Sequence, residues 1–87
     1  MTERLTPVAI RHKFEDTFNG QKNFLTPSVV EYGQRGRCLY EISTGTGIGG
    51  RAIYGVTVLD LDGTHRHDLS TSAGSLADAK AHIRSAL

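Results

Sequence analysis

Two aspartates separated by one residue, Asp60 and Asp62, lie at the end of the most strand-like run of the chain, Ala52 to Leu61. A carboxylate at a strand end can attack phosphorus while a neighbouring carboxyl group protonates the leaving group. The pair therefore raises the hypothesis of phosphoryl transfer. The same residues lead into Gly63, and Asp-Gly between two alternating runs is also a strong signal for a β-hairpin.

The stretch from Tyr54 to Thr64 resembles the first motif of the haloacid dehalogenase family, a buried strand that ends in Asp-x-Asp-Gly-Thr. That resemblance implies a nucleophile at Asp60, a general acid or base at Asp62 and a magnesium ion nearby. The family also needs later strands that carry a Ser or Thr, a Lys and an acidic pair. The short segment after Thr64 has room for one strand and one helix, so we interpret the motif as a hairpin tip and predict no enzymatic activity.

A glycine-rich segment, Gly45 to Gly50, matches the spacing of the dinucleotide-binding fingerprint. That fingerprint places a pyrophosphate at the N-terminus of a helix. The residues from Ala52 onward alternate like a strand instead, and Arg51 stands where a phosphate-binding loop has Lys followed by Ser or Thr. We therefore predict a connection between two strands, and no cofactor.

His65 and His67 are two residues apart, so on a strand their rings point to the same side and could hold two corners of a metal site. Asp68 and His12 are the candidates for further ligands. The paired cysteines and the second spaced cluster that are typical of zinc sites are absent from the sequence. We predict solvated or edge-packed histidines, and no metal.

Arginines on or beside the predicted strands form another candidate site: Arg35, Arg37, Arg51 and Arg66. Some small DNA-reading domains use arginines on an open sheet face, and the last third of this chain resembles the arm-binding domains of phage integrases. However, ten basic and nine acidic residues give a net charge of +1, so no strong field attracts nucleic acid or an anionic membrane. Nucleic-acid binding is therefore the alternative function, and we predict no membrane partner.

The first half of the chain alternates between apolar and polar residues. Val8 to Phe14 predicts a half-buried strand, although a helix capped by Thr6, with Pro7 in its first turn, fits the same residues. We favour the strand. Asn19-Gly20 predicts a turn, after which we expect Phe24 and Leu25 to lie over the core. The strands that follow are Val29 to Tyr32 and Arg37 to Thr44, joined by a turn at Gly33 to Gly36.

The C-terminal segment predicts a helix. Ser75 stands at its N-cap, with Asp78 three positions later, and one face carries Leu76, Ala79, Ile83, Ala86 and Leu87. We expect Asp78, His82 and Arg84 to face water. The predicted fold is α+β, a four-stranded, mostly antiparallel sheet with one C-terminal helix packed on one face. Residues 1–6 are predicted to be a flexible tail and residues 7–87 a single domain.

The hairpin at Asp62-Gly63 decides which side chains reach the sheet face that the helix leaves open. A two-residue turn pairs Val56 with Leu69, whereas a three-residue turn with a glycine bulge exchanges the faces of the second strand. Central strands that are apolar on both sides can leave an apolar stripe for a partner. We therefore predict these binding residues: Arg35, Arg37, Arg51, Leu59, Leu61 and Arg66.

Several stretches together resemble small accessory proteins of actinobacterial phages: Phe18 to Gly20, Phe24 to Pro27, Tyr40 to Ser43, Tyr54 to Val58 and Ala77 to Leu87. The resemblance implies a host-directed protein without an assigned activity. We predict a non-enzymatic module that binds a host protein through the open sheet face and the loops at Arg35 to Arg37 and Gly45 to Arg51. A homodimer through the same face is a further hypothesis.

The location of the protein is predicted from cysteine usage and hydropathy. The single Cys38 cannot form an internal disulfide, and neither a secretory leader nor an apolar run of membrane length is present in the sequence. We therefore expect the protein in the cytoplasm, and in the host cytoplasm if it is encoded by a phage.

Overall fold

A computed structural model of the chain describes residues 4–18 and 28–87. The elements are α1 (Pro7–Thr17), β1 (Ser28–Arg35), β2 (Cys38–Thr46), β3 (Ala52–Asp60), β4 (Thr71–Ala73) and α2 (Leu76–Ala86), with a short 3-10 turn (Ile48–Gly50) after β2. Each strand pairs antiparallel with the next, so the sheet has the order β1-β2-β3-β4. The predicted fold, a four-stranded antiparallel sheet with a C-terminal helix, is confirmed. The predicted turn at Asn19-Gly20 and the packing of Phe24 and Leu25 lie outside the described residues.

The segment that we predicted as a first strand forms the helix α1. Thr6 caps it, because its Oγ1 accepts a hydrogen bond from the N–H of Ala9 at 3.1 Å, and Pro7 occupies the first turn, where no N–H donor is needed. Ile10 and Phe14, one helical turn apart, are buried against the sheet. The preference for a strand was therefore wrong. Ile10 and Phe14 fit the spacing of a strand and of a helix, and packing against the sheet favours the helix.

Both faces of the sheet are covered, each by one helix and its own apolar cluster. Under α2 the cluster consists of Ile42, Val56, Val58, Ala79 and Ile83. Under α1 it consists of Ile10, Phe14, Leu39 and Leu59. The sheet face that we predicted to be open is therefore occupied by α1, because β2 and β3 carry apolar residues on both sides.

Leu5 and Thr6, which we predicted as part of a flexible tail, are attached to the domain. The N–H of Leu5 donates to Oε1 of Gln34 at 2.8 Å, and Leu5 packs against the cluster under α1. At the other end of the chain, Oγ of Ser75 accepts from the N–H of Asp78 at 3.1 Å, which confirms the predicted cap of α2. Within the described residues, neither helix is long and apolar enough to cross a membrane.

Candidate functional site

The Asp60 to Thr64 stretch is a hairpin tip, as we predicted, in its three-residue form. The N–H of Gly63 donates to the carbonyl of Asp60 at 2.9 Å, and the N–H of Asp60 donates to the carbonyl of Thr64 at 2.8 Å. Gly63 has a φ of +92°, as expected for a glycine bulge. Oδ1 of Asp62 accepts from the N–H of Thr64 at 2.9 Å, and this hydrogen bond lowers the pKa of the Asp62 carboxyl. The two aspartates therefore shape a turn.

The pairing after the tip differs from the register that a two-residue turn predicts. Leu59 forms a bridge with His65, as the three-residue turn requires, and Val56 then pairs with Thr71 instead of Leu69. The residues between these two pairs are held by Ser70, whose Oγ accepts from the N–H of Val58 at 3.0 Å and donates to the carbonyl of Arg66 at 2.8 Å. Ser70 is therefore a structural residue of the hairpin.

Arg66 is engaged by two carboxylates of the same hairpin. Its Nη1 lies 3.0 Å from Oδ1 of Asp60, while Nε and Nη2 donate to the two carboxylate oxygens of Asp68 at 3.0 and 2.9 Å. These hydrogen bonds lower the pKa of Asp68 and raise that of Arg66. The guanidinium donors are thus used within the chain.

The histidines pack at the same end of the sheet. The rings of His65 and His67 have their centroids 3.8 Å apart, and Phe18 meets His65 edge to face at 5.2 Å. Burial and the neighbouring His67 lower the pKa of His65. His12 lies 3.3 Å from Glu15 on α1. Among residues 4–18 and 28–87 no group of three His, Cys, Asp or Glu side chains is placed to hold a metal.

The glycine-rich segment closes the hairpin between β2 and β3. Thr46 pairs with Ala52, and the N–H of Gly47 donates to the carbonyl of Arg51 at 2.7 Å. Gly49 and Gly50 have φ values of +81° and +78°, which favour glycine. A strand follows the segment, so the predicted connection between strands is confirmed.

The residues that we predicted to bind a partner are not brought together by the fold. Leu59 has no exposed surface in the cluster under α1, and Leu61 is partly buried beside it. Arg37 and Arg51 are exposed at opposite ends of β2, whose nine residues span roughly 30 Å. With Arg66 engaged in its hairpin, Arg35 remains, and it borders a groove.

This groove, of about 280 Å³, lies between β1 and α2. Pairing of β1 with β2 places Glu31, Arg35 and Tyr40 on the sheet face that α2 covers. Lys80 and Arg84 are four residues apart and therefore share one side of α2. The full lining consists of Glu31, Gln34, Arg35, Tyr40, Lys80, Ile83 and Arg84. We call it the β1–α2 groove.

Tyr40 and Lys80 partner the acidic residue of the groove. The Tyr40 hydroxyl donates to Oε2 of Glu31 at 2.9 Å, and Nζ of Lys80 lies 3.7 Å from Oε1 of the same carboxylate. Burial and the hydrogen bond to Glu31 raise the pKa of Tyr40. Gly33 makes this contact possible, because a side chain there would collide with the Tyr40 ring. Glu31 is therefore compensated within the groove.

The two arginines of the groove differ from the other polar groups in it. Arg35 and Arg84 are exposed, and neither has a carboxylate partner among residues 4–18 and 28–87. The lining of the groove thus contains three basic side chains, Arg35, Lys80 and Arg84, and one acidic side chain, Glu31. The β1–α2 groove consequently has an excess of positive charge beside an apolar floor at Ile83, which is 4% exposed.

Sequence reasoning identified Arg35 but missed the rest of the groove. We expected Arg84 to be a solvated helix residue, and the groove combines two stretches that lie far apart in sequence, Glu31 to Tyr40 and Lys80 to Arg84. One available signal was the spacing of Lys80 and Arg84 on either side of the helix core residue Ile83. Another was the alternation that places Glu31, Gly33 and Arg35 on one face of β1.

Comparisons of the chain with protein-family models, with curated proteins and with solved structures give no match. The functional proposal therefore depends on the groove and its chemistry.

Proposed function

We propose that this chain is a non-enzymatic binding module that engages an acidic segment of a partner protein through the β1–α2 groove. The observation that carries the proposal is the pair Arg35 and Arg84, which have no carboxylate partner in the described chain and border the same groove. A guanidinium group matches a carboxylate with two parallel hydrogen bonds. The resemblance to phage accessory proteins adds the expectation that the partner is a host protein.

The shape of the groove favours a polypeptide over a small molecule. The groove is more open than enclosed, whereas sites for small molecules enclose most of the ligand surface. Its floor combines the buried Ile83 with the partly exposed ring of Tyr40, and tyrosine is enriched at protein interfaces. An extended acidic segment with some apolar side chains complements both features.

Nucleic-acid binding has weaker support from the same geometry. Arg37 and Arg51 lie at opposite ends of β2, and the donors of Arg66 are engaged by Asp60 and Asp68. A phosphate backbone would need several cations on one continuous surface. The groove supplies only three cations, Arg35, Lys80 and Arg84, and the Glu31 carboxylate lies among them.

A fluorescent peptide of about eight residues, with glutamate alternating with threonine, tests the proposal by fluorescence anisotropy. We expect Arg84→Glu to weaken binding at least about tenfold, because one attractive contact becomes a repulsive one. Arg51→Glu is the matched control: it changes the net charge by the same amount in the β2–β3 loop and should leave the affinity within about twofold, since exposed charges that far apart are screened.

A peptide in which glutamine replaces glutamate provides the second control and should bind weakly or not at all. Absence of binding by the acidic peptide to the unaltered protein would contradict the proposed function. Equal losses in Arg84→Glu and Arg51→Glu would also contradict it, because they would indicate a response to net charge instead of a site.

A further inference from the structure

β1 lies at the edge of the sheet that borders the groove. It has eight residues, whereas β4 at the other edge has three. In the described part of the chain, β2 is the only strand that pairs with β1. An edge strand presents backbone N–H and C=O groups to which another chain can bind.

The β1–β2 hairpin determines which backbone groups point outward. Arg35 pairs with Cys38 across a two-residue loop, and the pair that closes such a turn is hydrogen bonded. Hydrogen-bonded and non-hydrogen-bonded pairs then alternate along an antiparallel ladder. Tyr32 and Glu41 therefore form a non-hydrogen-bonded pair, and the N–H and C=O of Tyr32 point away from β2 towards the sheet edge.

The side chains of β1 determine which residues an added strand would carry. Glu31, Gly33 and Arg35 are on the α2 face, so residues placed beside Gly33 and Arg35 enter the β1–α2 groove. Opposite charges on neighbouring strands attract and like charges repel. Acidic side chains are thus favoured near Arg35 and the two cations of α2, Lys80 and Arg84. Successive groove-facing residues of a strand lie about 7 Å apart, which lets more than one reach the cations.

A bulge limits how much of β1 is regular. The pairing register with β2 shifts between Val29 and Glu31. Bulges twist an edge strand and interrupt regular pairing. The regular part of the edge, Glu31 to Arg35, coincides with the part that borders the groove.

We propose that the acidic segment binds as a fifth strand on the outer edge of β1, with alternate carboxylates facing Arg35, Lys80 and Arg84. This inference rests on the proposed function and specifies how the groove is occupied. Backbone hydrogen bonds to β1 supply affinity, and the cations select acidic residues at every second position. The partner is therefore an extended segment with alternating acidic residues.

Backbone N-methylation of the glutamate–threonine peptide tests strand addition. Along a strand, the N–H groups of alternate residues point to the same edge. One peptide is methylated at its glutamates and a second at its threonines, so the two have the same composition and charge but block opposite edges. Strand addition uses one edge only, and we expect the two affinities to differ at least about tenfold because several hydrogen bonds are lost.

Equal affinities of the two methylated peptides would overturn strand addition. If the unmethylated peptide still binds and Arg84→Glu still weakens it, the proposed function stands while the binding mode fails. If the unmethylated peptide does not bind, both fail. A dimer in light scattering whose Tyr32 amide is already protected from exchange without the peptide would assign the β1 edge to a second copy of the chain and also overturn the inference.

Discussion

The two faces of the sheet are built from the same strands but differ in how their polar groups are used. On the α1 face, Gln34 is 8% exposed and accepts the N–H of Leu5. On the α2 face, Arg35 and Arg84 reach solvent without a carboxylate partner in the described chain. The face that we predicted as a site is therefore a core, and the face that we predicted as the core also carries the candidate site. Apolar residues on a sheet face indicate packing, whereas unpaired charges beside a core indicate binding.

The largest expected effect is the destabilisation caused by Leu59→Ala on the α1 face. Leu59 is fully buried in one cluster with Ile10 and Phe14, so the substitution should lower the free energy of unfolding by about 2–5 kcal/mol. Leu61→Ala, at a partly buried position of the same cluster, is the control and should cost less. Urea denaturation measures both. Unchanged stability with a loss of peptide binding would return Leu59 to the role of a binding residue.

The two helix caps provide a more local comparison of the faces. Thr6→Ala and Ser75→Ala each remove one hydrogen bond to a helix N-terminus and should cost about 1 kcal/mol. Amide hydrogen exchange should accelerate mainly in α1 for the first variant and mainly in α2 for the second. Thr6→Ser and Ser75→Thr retain the capping oxygen and serve as controls. Peptide affinity should fall for Ser75→Ala only, since α2 carries Lys80 and Arg84; a larger fall for Thr6→Ala would contradict the assignment of faces.

A titration to alkaline pH compares the two half-buried tyrosines, Tyr32 on the α1 face and Tyr40 on the α2 face. Burial, together with the nearby Glu41 carboxylate, raises the pKa of Tyr32 from 10.0 to about 12. A raised pKa in the folded state means that the stabilisation is fully present below pH 10 and is lost as the pH rises towards about 12. Tyr40 shifts in the same direction because it is buried and bonded to Glu31.

Unfolding experiments across this pH range should show a smaller fall in stability for Tyr32→Phe and for Tyr40→Phe than for the unaltered protein. The double variant should show the smallest fall. Ultraviolet absorbance of tyrosinate follows the titrations directly. A fall of equal size in all four proteins would mean that neither tyrosine is responsible.

The smallest expected effect concerns Glu31, the acidic residue of the groove. Glu31→Gln keeps an acceptor for the Tyr40 hydroxyl but removes the negative charge next to Lys80. Affinity for the acidic peptide should rise about two- to fivefold, in line with the modest energy of an exposed ion pair. Glu15→Gln on α1 is the matched control. A lower affinity of Glu31→Gln would place the peptide away from the groove.

Much of the fold could be predicted from local patterns. The alternation in β2 and β3, the Asp-Gly hairpin signal and the Ser75 cap each act over a few neighbouring residues, and all three are confirmed. The helical conformation of α1 could not be predicted from local patterns. Ile10 and Phe14 fit the spacing of a strand and of a helix, and their contacts with Leu39 and Leu59 exist only after the sheet has formed.

The candidate site was harder to predict, because its members come from three separate elements. Tyr40 meets Glu31 only through the β1–β2 register, and Arg84 approaches them only because α2 packs across β3 and β4. The predicted set combined exposed arginines with apolar residues that belong to the core. Residue type alone does not distinguish Arg66, which is engaged by Asp60 and Asp68, from Arg35, which has no carboxylate partner in the described chain.

An NMR titration of backbone amides with the acidic peptide locates the binding surface on the protein. We predict the largest shift changes at Tyr32 to Arg35 and at Lys80 to Arg84, with the amide of Tyr32 also protected from exchange by the added strand. Changes concentrated at Arg37 and at Gly47 to Arg51 would instead place the binding site in the loops and exclude the β1–α2 groove.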